Sequence, residues 1–209
     1  MPSAISLLRT QISSDVFTDT EVAMILSGTP ARRYALIKRA LARGDLLQLR
    51  RGVYCFGSEY QRQAPNLFEL AQKIYGPSYI SLESALSFHG WIPEATYTTT
   101  SVCSKRSKDF DTPLGLFSFT RIPGCNMLGV QRLTDGPAVM LMADPSKALI
   151  DYIYVNKLGA HSLHEVASSL RIEPRLSATF SRDLLVEVAD LYGRGKLTTL
   201  LATGQGGVS

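Results

Sequence analysis

The segment Thr29 to Gly57, TPARRYALIKRALARGDLLQLRRGVYCFG, constrains the fold more than any other part of this 209-residue chain. It predicts a helix, a short turn and a two-stranded hairpin. Thr29 can cap the first free backbone N–H groups, and Pro30 suits the first helical position, where no N–H partner is needed. Leu36, Ile37, Ala40 and Leu41 recur at helical spacing and make one apolar face. Arg32, Arg33, Lys38, Arg39 and Arg43 fall largely off that face, toward solvent. Gly44-Asp45 stops the helix, and Leu46 to Tyr54 reads as strand with Arg50-Arg51-Gly52 at the bend.

The residues upstream complete a motif. Ser3 to Ile12 reads as a first helix, and Val16-Phe17 as a short strand. Thr18 or Asp19 caps a second helix from about Thr20 to Leu26, with Val22, Ala23, Ile25 and Leu26 as packing residues. Ser27-Gly28-Thr29 then forms the tight turn into the third helix. Helix, helix, turn, helix and hairpin make a winged helix-turn-helix over residues 1–60, and its expected ligand is double-stranded DNA. Charge supports this. Between Thr29 and Val53 seven Lys/Arg face one acid, Asp45, a net +6 in a chain of net +4. The remainder therefore sums to −2, so positive charge is concentrated where a phosphate-binding surface needs it. A unit this small is marginal alone, and docking onto the rest of the chain is expected to stabilise it.

Composition, 45% hydrophobic and 19% charged, is that of an ordinary globular protein. No apolar run approaches the ~20 residues of a membrane helix. MPSAISLLRT lacks a basic start followed by an apolar core, so no secretion signal is expected. The three cysteines, Cys55, Cys103 and Cys125, are odd in number and widely spaced, which suits a reducing cytoplasm.

Ser58 to Pro65 is polar and turn-prone, a linker or boundary. Residues 61–203 then read as an α+β domain with a small, mostly antiparallel sheet flanked by helices. Asn66 to Tyr75 is amphipathic, with Leu67, Phe68, Ala71, Ile74 and Tyr75 on one stripe. Ser81 to His89 is a second helix capped by Ser81. Strands are expected at Thr96 to Val102, Leu114 to Ile122, Val130 to Leu133 and Ala138 to Met142, the last two joined across Thr134-Asp135-Gly136. Asp144-Pro145 opens another helix with Ala148, Leu149, Tyr152 and Ile153 inward, and Ser162 to Leu170 and Ser181 to Tyr192 supply two more. Residues 204–209 have too few large apolar side chains to anchor themselves, and a disordered tail is expected.

Three passages carry a family resemblance: ALIKRALARGDLLQLRRGVYCFG, YISLESALSFHGWIPE and ADPSKALIDYIY. In order and spacing the chain resembles the AbiEi family of bacterial antitoxins, from the AbiE toxin–antitoxin systems linked to abortive phage infection. The likeness covers most of residues 16 to 155. It implies a transcriptional autorepressor whose winged helix binds inverted repeats in its own promoter. It also implies a second domain opposing a nucleotidyltransferase-like toxin. The alternative is a stand-alone winged-helix regulator whose second domain binds a ligand or a protein.

Enzymatic groupings are weak, and neither catalysis nor a cofactor or metal is expected. His161-x-x-His164 lacks the further ligands zinc needs. Ser81 and His89 have no nucleophile-elbow context. Asp109 and Asp111 lack the converging carboxylates of two-metal chemistry. GQGG has no following helix to make a phosphate cradle. For DNA, Arg32, Arg33 and Tyr34 at the start of the third helix are candidates for base edges, with Thr29 at its cap. Tyr34 suits core packing equally well. Lys38, Arg39 and Arg43 are candidates for phosphate, and Arg50 and Arg51 for backbone or minor groove. Lys105, Arg106 and Lys108 fall in SKRSKDFDT, a loop or short strand, and form a basic cluster that would serve a partner or extra DNA, or simply face solvent.

Overall fold

The computed structural model describes residues 3–136, 138–158, 161–193, 195 and 197. The expected tail at 204–209 lies outside them. The fold is α+β, with one three-stranded and one six-stranded sheet.

The N-terminal elements run α1 (Ala4–Gln11), β1 (Val16–Thr18), α2 (Asp19–Ile25), α3 (Pro30–Arg43), β2 (Leu46–Arg50) and β3 (Val53–Phe56). Local chemistry sets their limits. Thr18 and Glu21 form a reciprocal capping box at the start of α2. Thr29 caps α3 through the Arg32 N–H, and Gly44 ends it in the left-handed region at φ +78°. The strands pair antiparallel in the order β1-β3-β2.

Both faces of this small sheet are covered. Phe17, Leu46, Tyr54 and Phe56 pack into a core with Ile5, Leu8, Ile12, Val22, Leu26, Ile37 and Ala40 of the helices. Val16, Leu49, Val53 and Cys55 alternate with them and join the main core, beside Leu70, Ala71 and Ile74. At roughly 1.5–3 kcal/mol per large side chain buried, this second face supplies stabilisation that 60 residues alone would lack. Ala23, expected to pack, is exposed instead.

The polar stretch after β3 is tied down. Arg62 reaches the Asp15 carboxylate and the carbonyls of Arg9 and Ile12, and Gln61 donates to the Phe56 carbonyl at 2.7 Å. Beyond it come α4 (Leu67–Ile74), β4 (Ser78–Ile80), α5 (Leu82–Phe88), β5 (Thr98–Cys103), β6 (Lys108–Thr112) and β7 (Gly115–Arg121). Then follow β8 (Val130–Asp135), β9 (Ala138–Ala143), α6 (Pro145–Val155), α7 (Leu163–Ser169), α8 (Pro174–Ser177) and α9 (Arg182–Tyr192). The six strands lie in the order β6-β7-β5-β4-β9-β8. Three pairings are antiparallel, while β5/β7 and β4/β9 are parallel. The unexpected central strand β4 creates one of those parallel pairs. Helix α4 packs against β4, β5 and β9, whereas α5 packs on β5 and α6, and α6 contacts α9.

Candidate nucleic-acid interface

Leu26 to Thr29 connect α2 to α3, with Gly28 at φ +111° making the turn. The side chains that follow close over it. Arg32 lies against Gly28, and the Arg33 guanidinium donates to the Gly28 carbonyl. On the other side the hairpin turns through Arg51-Gly52, and Gly52 adopts φ +76°. The Asp19 N–H donates to the Gly52 carbonyl at 3.1 Å, which fixes the hairpin tip to the start of α2.

A cleft of about 750 Å³ lies between these parts. Pro30, Arg33, Tyr34 and Ile37 of α3 line one side, and Gln48, Arg51, Gly52 and Tyr54 of the hairpin line the other. Asp19 and Val22 of α2 complete it. Tyr34 is 69% exposed, so the core alternative for this residue is set aside. Burial and then the neighbouring Asp19 push the Tyr54 hydroxyl up to about 12, so it stays a neutral hydrogen-bonding group at neutral pH.

The remaining cations divide by what they touch. Arg32 and Lys38 are exposed on α3. Arg39 donates to the Ala35 carbonyl of its own helix at 3.2 Å. Arg43 makes two bonds to Asp45 Oδ2, at 2.6 and 2.8 Å, which offsets its charge. Arg50 and Arg51, adjacent at the hairpin tip, diverge. Arg51 lines the cleft, while Arg50 turns back and donates to the Ile74 carbonyl of α4 at 2.5 Å. Asp19 and Gln48 belong to the cleft and were not among the expected site residues. A lone polar residue between Leu47 and Leu49 was the available signal for Gln48. Lys105, Arg106 and Lys108 are exposed between β5 and the start of β6.

The other candidate groupings have separate partners. The Ser81 hydroxyl donates to Asp151 Oδ2 at 2.7 Å rather than capping α5, and His89 Nε2 lies 3.0 Å from the Ala143 carbonyl. Asp109 accepts from Ser118 Oγ at 2.8 Å. His161 Nδ1 is 4.0 Å from Glu165, and among the described residues no three ligating side chains converge on a metal position.

A second polar assembly, not foreseen, lies fully buried. Lys147 and Asp151, one turn apart on α6, pair at 2.5 Å with both side chains at 0% exposure. The ammonium's other two protons go to the hydroxyls of Tyr79 and Tyr192. Asp151 accepts from Lys147, Tyr192, Tyr79 and Ser81, two donors on each oxygen. Every donor and acceptor site of the ion pair is thereby used.

Comparison with protein-family models and with curated proteins finds no match to the chain.

Proposed function

We propose that residues 1–60 act as a winged helix-turn-helix that binds double-stranded DNA, with α3 in the major groove and the β2–β3 hairpin as the wing. The observation that carries this reading is the shared cleft, where the N-terminal half of α3 and Arg51 of the hairpin face one space. Arg33, held by the Gly28 carbonyl, presents a partly ordered guanidinium suited to a guanine edge. Arg32, beside Arg33 at the start of α3, is a further candidate for a base edge, and Lys38 suits phosphate, as does Arg51 across the cleft. Arg43 and Arg50, already bonded within the protein, contribute less than their positions in the sequence imply.

The resemblance to AbiEi antitoxins adds the biological context. In this reading the protein represses its own operon from inverted repeats and opposes a nucleotidyltransferase-like toxin, working in the cytoplasm as a binding protein rather than an enzyme. No helix among the described residues is long and apolar enough to cross a membrane. Two experiments separate the parts. A gel shift with the DNA upstream of its own gene should give a specific, salt-sensitive complex. Co-expression with a neighbouring nucleotidyltransferase-like gene should restore growth. A specific shift without rescue would leave a stand-alone regulator and end the antitoxin reading.

A further inference from the structure

The basic loop of the second domain has no role in that reading, yet the fold sets it beside the wing, next to Arg50 at the end of β2. Three consecutive residues at the end of α4 hold both. Arg50 of the hairpin donates to the Ile74 carbonyl, and Lys105 donates to the Gly76 carbonyl, each at 2.5 Å. Between them the Tyr75 hydroxyl donates to the Arg106 carbonyl at 3.0 Å. Tyr75 in turn packs on Phe110 and Phe119, so the support under the loop is an aromatic cluster. Arg121, the last residue of β7, comes to the same corner, its N–H bonded to Ser107 Oγ at 2.9 Å. The side chains of Arg106 and Arg121 are exposed, with no hydrogen bond or ion pair among the described residues. The acids of β6, Asp109 and Asp111, alternate with Lys108 and Phe110 and so stand on the other face of that strand.

We propose that this corner, with Arg106 and Arg121 as the contacting cations, binds the phosphate backbone of double-stranded DNA flanking the segment that α3 reads. The second domain thus lengthens the footprint past the wing. The inference rests on the winged-helix reading. Its physical basis is continuity: the wing and the loop are fastened to the same three residues, so a duplex seated on the wing runs past a preformed cationic edge. Backbone contacts of this kind position a protein without reading sequence.

The test uses the full chain, fluorescence anisotropy over a salt series, and two duplexes from the upstream DNA, about one and about three helical turns long. The Arg106→Ala/Arg121→Ala pair should weaken binding to the long duplex several-fold and lower the slope of log K against log salt by about two. The short duplex should bind as in the wild type, and Arg106→Lys/Arg121→Lys should restore the slope. Unchanged binding of the alanine pair to the long duplex, or equal losses on both, overturns the inference while leaving the winged helix standing. Failure of the wild type on both duplexes overturns the DNA reading itself.

Discussion

Removing one member of the Lys147–Asp151 pair should be among the most damaging changes available to this chain, and the two members should differ. Asp151→Ala strands an ammonium at 0% exposure with only two neutral hydroxyls, and it takes the acceptor from Ser81, Tyr79 and Tyr192. Breaking a buried pair costs about 3–5 kcal/mol, and each orphaned buried donor adds about 1–3 kcal/mol, so Asp151→Ala belongs at or beyond the top of the first range. Lys147→Met keeps the side-chain volume and leaves the carboxylate three donors, which puts it near the lower end, about 3 kcal/mol. The double change Lys147→Met/Asp151→Ala removes both charges and should cost at least about 2 kcal/mol less than Asp151→Ala alone. Urea unfolding followed by circular dichroism measures all three; should Asp151→Ala fail to fold, a double variant that does fold shows the same rescue. Single-variant losses below about 1 kcal/mol, or additive losses in the double variant, would refute the view that the network is a closed, mutually satisfied unit.

The same network fixes the alkaline behaviour. Burial first, and then Asp151, raise the Tyr79 and Tyr192 hydroxyls above their ordinary 10.0, so the folded state holds those protons more tightly than the unfolded chain. Their contribution is complete below pH 10 and is lost above it, at up to about 1.4 kcal/mol per pH unit for each group; Tyr192→Phe should make the fall in urea midpoint with pH shallower. Gly57 lies so close to the Gly44 carbonyl that an added Cβ would collide with backbone, so Gly57→Ala should lower the melting temperature by several degrees, and an unchanged melting curve would contradict this packing. Among the thiols, burial pushes Cys55 up to about 11 and raises Cys103 and Cys125, but Cys125 alone is half-buried. Alkylation with mass detection should therefore label Cys125 first, with Cys55 and Cys103 following only on unfolding.

The elements that could be read from the sequence are those whose signals are local. Thr18, Thr29, Asp144, Ser162 and Ser181 all cap helices through their side chains, and the αL residue Gly44 closes α3. Strand β4 gave no such signal, because three residues buried on both faces show no alternation. Without it the central parallel pairing with β9 could not be inferred. Arg50 and Arg51 look alike in sequence, and only the packing of the hairpin on α4 sends one inward. Lys147 and Asp151 have the i,i+4 spacing of a solvent-facing pair. Their burial depends on Tyr79 and Tyr192, which lie 68 and 45 residues from Lys147 along the chain. The passages that carry the family resemblance supply Tyr79, Ser81, Lys147 and Asp151, so part of what those motifs encode is this buried assembly rather than a surface site.

The proposed role of the cleft between α3 and the β2–β3 hairpin is to hold DNA. The most direct measurement is the affinity of the wild type, Arg33→Ala and Arg51→Ala for the upstream DNA and for unrelated DNA, each across a salt series. The wild type should bind tightly and in a salt-sensitive way, with Arg33→Ala losing discrimination by roughly 1–3 kcal/mol. Arg51→Ala should instead weaken both DNAs alike and reduce the salt slope by about one. Absence of wild-type binding at low salt, or identical uniform losses in both variants, would contradict that role.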